Sequence, residues 1–100
     1  MEKLEKIFGN QGIEIEEAKV LLLGLMSQQK SIDDVFLMYI CAEDITKVRE
    51  KYERPHPFGF SRILSLLGEH GYVEISGGDN KKYFMTEESK RFFVENYMVA

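Results

Sequence analysis

The residues best suited to chemistry lie in the stretch SRILSLLGEHGYVEISGGDNKKYFMT, residues 61–86. Arg62 stands between two serines near its start, and Lys81 and Lys82 follow directly after the turn-forming letters GGDN. An arginine beside hydroxyl groups can hydrogen-bond a polar ligand, and lysines beside a glycine turn can bind phosphate. These residue types indicate a binding surface and not a catalytic centre.

The remaining reactive side chains form no catalytic or metal-binding motif. His56 and His70 are far apart in sequence, and Cys41, the one cysteine, lies far from both. Structural zinc sites use closely paired ligands, so we expect no metal site. The sequence has no GxSxG motif, no P-loop and no carboxylate pair that spacing singles out. It therefore predicts neither an enzyme nor a cofactor. We expect His70 to interact favourably with the C-terminal end of a helix dipole.

Length and composition predict one domain that spans residues 1–100, with a small core, because 44% of the residues are apolar. No apolar stretch is long enough for a membrane span, and the N-terminus lacks the apolar centre of a signal peptide. A lone cysteine cannot form an intrachain disulfide, so we expect a cytoplasmic protein with no membrane partner.

Positive charge is concentrated in one segment, although the whole chain carries a net charge of −4. Residues 47–62 hold five basic and two acidic residues, whereas residues 1–46 are strongly acidic. The negative net charge argues mildly against indiscriminate binding to nucleic acid. The distribution of the basic residues along the chain is more informative about such binding than the net charge. The basic residues of this segment are Lys47, Arg49, Lys51, Arg54 and Arg62.

Apolar periodicity and capping signals predict five helices and one hairpin. The predicted helices cover Glu2–Phe8 with a left-handed stop at Gly9-Asn10, Glu14–Gln28, a helix from the Ser31 cap that ends near Glu43 or Glu53, a helix from Pro57 to before Gly71, and Glu87–Met98 with a Thr86 cap. The predicted strands are Tyr72–Ile75 and Lys81–Met85, joined by a turn over residues 76–80.

Two helical faces are predicted in detail. In the helix after Ser31, a buried stripe is expected at Met38, Cys41, Ile45, Val48 and Tyr52. In the helix after Pro57, the core face is expected at Phe60, Ile63, Leu64 and Leu67, and the outward face at Phe58, Ser61, Arg62, Ser65 and Glu69.

The segment FSRILSLLGEHGYVEISGGDNKKYFMTEESKRFF resembles a winged helix-turn-helix domain. The words GYVE and MTEE match the end of the third helix and the start of the last helix in archaeal and bacterial regulators of the MarR and PadR kind. The words SIDDVFLMY and FSRILSLLGEHGYVEI are also similar to the C-terminal winged helix of archaeal replication initiators. The resemblance covers residues 14–98 and implies an α+β fold, mostly α, with a three-helix core, a β-hairpin wing and extra terminal helices.

The resemblance also implies that the chain binds double-stranded DNA and regulates transcription. The helix after Pro57 would lie in the major groove, with Arg62 contacting guanine and Ser61 and Ser65 contacting bases or phosphate. Lys81 and Lys82 on the wing would hold the flanking backbone. Further phosphate contacts are expected from Lys51, Arg54 and His56.

Each of these interpretations has an alternative. The hairpin can be an ordinary solvated turn, and the basic residues before Pro57 can be a solvated face paired with Glu50 and Glu53. The outward helix face holds Arg62 as its one basic residue, whereas DNA-reading helices usually carry several. The alternative function is therefore a protein–protein interaction module without DNA binding, which would use Phe58 and Leu66 as apolar anchors.

A homodimer is expected because the terminal helices carry more apolar surface than one small core can cover. Two-fold pairing would place DNA half-sites about 34 Å apart. The alternative is that the helix over Glu14–Gln28 wraps the C-terminal helix within one chain and the remaining aromatic residues shield Leu4 and Ile7. The residues of the predicted dimer interface are Val20, Leu23, Phe92, Phe93 and Tyr97.

Overall fold

The computed structural model describes residues 1–42 and 57–98, with the side chains described from residue 59 in the second range. The predicted phosphate contacts of Lys51, Arg54 and His56 lie outside the described residues, as do the course of the predicted helix after Ser31 beyond Ala42 and the side chain of Phe58.

The described residues form five α-helices and a two-stranded antiparallel sheet, which confirms the α+β, mostly α class. None of the described helices is long and apolar enough to cross a membrane. The elements are α1 (Leu4–Phe8), a 3₁₀ turn (Gly9–Gln11), α2 (Ile15–Leu25), α3 (Ile32–Cys41), α4 (Pro57–Glu69), β1 (Glu74–Ser76), β2 (Lys82–Phe84), α5 (Glu87–Phe93) and a π-helical segment (Val94–Met98).

Side-chain caps mark the starts of α3 and α5. The Ser31 Oγ accepts a hydrogen bond from the Asp34 N–H at 3.2 Å, and the Thr86 Oγ1 accepts one from the Ser89 N–H at 3.1 Å. Each bond satisfies a backbone donor that the first helical turn leaves without a partner. Both predicted caps are therefore confirmed.

The end of α4 is a Schellman motif centred on Gly71. Gly71 has a φ of 81°, and its N–H donates to the Gly68 carbonyl at 3.2 Å. The Tyr72 N–H donates to the Leu67 carbonyl at 2.9 Å, which completes the motif. The predicted role of Gly71 is confirmed, and β1 follows within a few residues.

The first helix ends at Phe8 as predicted, but the predicted left-handed conformation of the Gly9-Asn10 stop is wrong. Gly9 is right-handed, with φ −56° and ψ −37°, and the chain continues into the 3₁₀ turn. The left-handed residue is Gly12, with φ 68°. The 3₁₀ turn satisfies the carbonyls at the end of α1, so the left-handed residue that changes the direction of the chain comes at the next glycine, Gly12.

The core lies where α2 meets α1, α3 and α4. Because α2 is covered on several sides, Val20, Leu21 and Leu22 are all buried, although they do not share one helical stripe. The predicted core face of α4 is confirmed. The buried apolar residues are Leu4, Ile7, Phe8, Ala18, Val20, Leu21, Leu22, Leu25, Val35, Tyr39, Phe60, Ile63, Leu64, Leu67, Tyr72, Val73, Met85 and Phe93.

The predicted buried stripe of α3 is confirmed at Met38, which is half-buried against the core, and is wrong at Cys41. Cys41 is exposed, and the buried residues are Val35 and Tyr39, one helical turn apart. The Tyr39 ring packs against the Phe60 ring of α4 at 5.4 Å between centroids. This aromatic contact covers Tyr39, which the predicted stripe does not include.

The C-terminal residues pack against the start of the same chain. The Tyr97 hydroxyl accepts a hydrogen bond from the Leu4 N–H at 2.7 Å and donates one to Glu5 Oε2 at 2.8 Å. Burial, followed by the hydrogen bond to Glu5, raises the pKa of Tyr97 to about 12. The predicted single helix up to Met98 changes to π-helical geometry at Val94.

This packing corrects the predicted dimer interface. Val20 is 5% exposed and Phe93 is 0% exposed within one chain, so neither offers surface to a second copy. Phe92 and Tyr97 are half-buried, and Leu23 is exposed. The excess apolar surface that motivated the dimer is therefore covered by the chain itself at Val20 and Phe93, and a homodimer stays a prediction.

Candidate nucleic-acid interface

The exposed side of α4 carries the predicted contact residues. Pro57 suits the first turn of a helix, where no backbone donor is needed. The helical period then turns Ile63 and Leu64 inward and leaves Ser61, Arg62 and Ser65 exposed, as predicted. No described element covers these polar side chains from solvent, so a ligand can reach them.

Arg62 contacts the N-terminal turn. Its Nη2 donates a hydrogen bond to Gln11 Oε1. Gln11 is neutral, so the guanidinium keeps its full positive charge while its direction is restrained. Sequence reasoning missed Gln11, because no local pattern links residues that are 51 positions apart.

The hairpin is attached to the helical body through its second strand. Ile75 pairs with Tyr83 inside the hairpin, and Tyr83 also exchanges two backbone hydrogen bonds with Lys30, at 3.0 Å and 2.7 Å. Lys30 immediately precedes the Ser31 cap of α3. The bridge therefore holds β2 beside the start of α3. The sequence predicts the hairpin but not this bridge.

The hairpin turn presents the two predicted lysines differently. Lys81 is exposed, whereas Lys82 is half-buried and pairs with Ser76 across the sheet. In the described part of the chain, neither lysine forms an ion pair. Gly77 has a φ of 85°, and a Cβ there would lie 2.6 Å from the Asn80 carbonyl oxygen, so the turn requires glycine.

A groove with a volume of about 660 Å³ separates α4 from the hairpin. Most of its lining is apolar, and the one charged residue of the lining is Glu74, which is exposed. A carboxylate there repels phosphate, so the groove floor is a poor place for a DNA backbone. The lining residues are Ile32, Phe60, Ser61, Leu64, Ser65, Gly68, Val73, Glu74, Ile75 and Tyr83.

Comparison of the chain with protein-family models, with curated proteins and with solved structures gave no match.

One of the two histidines, His70, lies in the described structure. His70 lies just after α4, with its Nδ1 3.5 Å from Glu2 Oε2, and His56 lies outside the described residues. Within residues 1–42 and 57–98, no group of three or more His, Cys, Asp or Glu side chains is placed to hold a metal ion. The candidate interface comprises two cationic sites, Arg62 beside Gln11 on α4 and the lysines of the hairpin, and a mostly apolar groove between α4 and the hairpin.

Proposed function

We propose that the chain is a winged-helix domain that binds double-stranded DNA, with α4 in the major groove and the hairpin as a wing on the backbone. The observation that carries the proposal is the exposed polar side of α4, next to a hairpin that bears two lysines without ion-pair partners in the described residues. The Lys30–Tyr83 bridge supports it, because it holds the hairpin against the helices.

Arg62 is the proposed base-reading residue. Residues near the N-terminus of a recognition helix are closest to the base edges, and an arginine binds guanine O6 and N7 with two hydrogen bonds. To do so, Arg62 exchanges its bond to Gln11 for the bonds to guanine. Ser61 and Ser65 supply neutral hydrogen bonds on the same side of the helix.

Lys81 and Lys82 are the proposed phosphate contacts. Contacts to phosphate position a protein on the duplex and carry no sequence information. The resemblance to regulators of the MarR and PadR kind makes regulation of transcription in the cytoplasm the role that we propose for this binding. A homodimer on a two-fold site belongs to the same proposal.

The deciding experiment is a fluorescence-anisotropy titration of mixed-sequence duplex DNA at about 50 mM and 200 mM salt. With few basic groups, the chain should show a log–log slope of roughly −3 to −6, since each neutralised phosphate contributes about −0.9. The variant Lys81→Glu should weaken binding strongly. Lys3→Glu makes the same change of charge outside α4 and the hairpin, and it should have little effect. No detectable affinity at the lower salt concentration would eliminate the proposal.

A protein-interaction module is the second candidate, because exposed apolar side chains surround the groove. Ile32 is 41% exposed and Ile75 is 55% exposed, and both line it. Phe36 is 38% exposed and contacts Phe60, with 5.0 Å between ring centroids. A continuous exposed apolar surface is typical of an interaction site.

A further inference from the structure

We propose that the groove between α4 and the hairpin binds a small, uncharged molecule that carries aromatic rings and one hydrogen-bonding group. The ligand lies between α4 and the face of the two-stranded sheet. The size of the groove, its aromatic and hydroxyl lining and the balance of the charges around it specify this class of ligand. The site stands independently of the proposed DNA binding.

The floor of the groove is one face of the hairpin. Ile75 and Tyr83 pair across the two strands, so their side chains lie on the same face of the sheet, and both line the groove. Tyr83 also exchanges backbone hydrogen bonds with Lys30 at 3.0 Å and 2.7 Å. The floor is therefore held in place before a ligand arrives, which lowers the cost of ordering on binding.

The opposite wall of the groove is α4. Phe60 is 6% exposed, and its ring is fixed by Phe36 and Tyr39, with 5.0 Å and 5.4 Å between ring centroids. Ser61 and Ser65, one helical turn apart, also line the groove. Their side chains are small, so space remains between the helix and the sheet.

The shape and lining of this space favour a ring system. Its volume is about 660 Å³, and small-molecule sites have volumes of roughly 300–1,000 Å³. Phe60 on the helix and Tyr83 on the sheet supply aromatic rings on two sides. Aromatic rings pack favourably edge to face or offset, and a rigid ligand loses less freedom on binding than a flexible chain. A ligand of two or three rings therefore fits.

The polar atoms of the lining supply orientation. Ser61, Ser65 and Tyr83 each carry a hydroxyl group, and among the described residues none of the three hydroxyls forms a hydrogen bond with the protein. A hydroxyl both donates and accepts. One hydroxyl, amine or amide group on the ligand therefore finds a partner in the groove.

The charges around the groove favour an uncharged ligand. Glu74 is the one charged residue of the lining, and it is exposed. The charged residues that adjoin lining residues in sequence are two bases and two acids, Arg62, Lys82, Asp33 and Glu69. These opposite charges balance, so an ionic ligand would lose its hydration without a net attraction in return.

The test titrates the full chain with N-phenyl-1-naphthylamine, an uncharged probe with three rings and one N–H whose fluorescence rises in apolar sites. We expect saturable binding of one probe per chain. Ile75→Ser should weaken it about fivefold or more, because apolar contact with the probe is lost. Leu37→Ser is the matched control: both residues are 55% exposed, but Leu37 lies outside the lining, so the change should be less than about twofold.

A second variant tests the space itself. Ser65→Phe, at an exposed position of α4, should fill the groove and abolish probe binding, while circular dichroism shows that the chain stays folded. In NMR spectra of the methyl groups, the probe should shift the resonances of Ile32, Leu64 and Val73 and leave that of Leu37 in place. Shifts at Leu37 without shifts at the lining residues would overturn the site.

A second probe tests the selection against charge. 8-Anilino-1-naphthalenesulfonate has the same rings with an added sulfonate, and it should bind about fivefold or more weakly than the uncharged probe. Glu74→Gln should reduce this difference by strengthening sulfonate binding, with the uncharged probe changed less than about twofold. Equal or tighter binding of the sulfonate by the unaltered chain would refute the preference for an uncharged ligand.

The remaining outcomes are also decisive. Absence of saturable binding would overturn the proposal, and so would one probe per two chains in a dimer, because the site would then lie between copies. Probe binding without duplex binding would support the ligand site and eliminate the DNA function. Duplex binding without probe binding would leave the DNA function and overturn the ligand site.

Discussion

Replacing Arg62 and Gln11 separately tests whether Arg62 reads DNA or only supports the fold. Both substitutions remove the same hydrogen bond between α4 and the N-terminal turn. Arg62→Ala also removes the proposed bidentate contact to guanine, which is worth about 1–3 kcal/mol, or roughly 5- to 150-fold in Kd. Gln11→Ala instead releases the guanidinium from a competing acceptor.

Gln11→Ala is expected to raise the affinity for DNA slightly, whereas Arg62→Ala is expected to lower it. A hydrogen bond between neutral or singly charged exposed side chains contributes on the order of 0.5–1.5 kcal/mol net, so releasing Arg62 should tighten DNA binding by up to about tenfold. The effect on the free energy of unfolding should be small and similar for the two variants, because each loses one exposed bond.

The assay is an anisotropy titration of both variants against a preferred duplex, selected from a random pool, and against single-base variants of that duplex. Arg62→Ala should also relax the preference at one base pair, whereas Gln11→Ala should keep it. Thermal unfolding followed by circular dichroism checks that both variants fold. An equal loss of affinity in both variants would mean that Arg62 acts through the fold. Unchanged affinity in Arg62→Ala would mean that α4 is not the reader.

Three further outcomes are expected. Gly12→Ala should lower the free energy of unfolding by about 1–2 kcal/mol, because its φ of 68° is left-handed. Gly9 has helical dihedral angles and open space where a Cβ would lie, so Gly9→Ala should leave the free energy of urea unfolding unchanged or raise it by up to about 1 kcal/mol. An equal loss of stability in both variants would contradict the assignment of Gly12 as the left-handed residue. Because the folded pKa of Tyr97 is raised from 10.0 to about 12, its stabilisation should be complete below pH 10 and lost as the pH rises through 12. Tyr97→Phe should reduce this alkaline loss in circular-dichroism titrations, and an unchanged profile would exclude Tyr97 as its source. Lys81→Ala and Lys82→Ala should weaken preferred and random duplexes by the same factor, and each should reduce the salt slope by about one; a loss confined to the preferred duplex would show that they read sequence.

The outcomes at Ser31, Thr86 and Gly71 show what local sequence determines. Each residue acts within five positions of its partners: a side-chain oxygen reaches an amide three residues later, and a glycine takes the left-handed conformation that closes a helix. The core face of α4 is equally local, because a single 3.6-residue period separates its buried from its exposed residues. These features need no knowledge of the rest of the chain.

Tertiary structure decided which of several possible faces is buried. The apolar residues Val20 and Phe93 were predicted to lie in a dimer interface, but both are buried within one chain. In α3, Tyr39 is buried where Phe60 of a distant helix packs against it, whereas Cys41 of the predicted stripe is exposed. The spacing of apolar residues indicates which sides of a helix can be buried, but it does not indicate which other element packs against each side.

The candidate site divides in the same way. The sequence by itself determined that Arg62 is exposed on α4 and that Lys81 and Lys82 follow a glycine turn, because helical period and turn chemistry are local. Only the tertiary structure revealed that Arg62 is held by Gln11, that Lys30 anchors the hairpin, and that a groove opens between the two elements. Each of these contacts joins residues far apart in the chain, and their pairing is set by how the whole core packs, which no short window of sequence encodes.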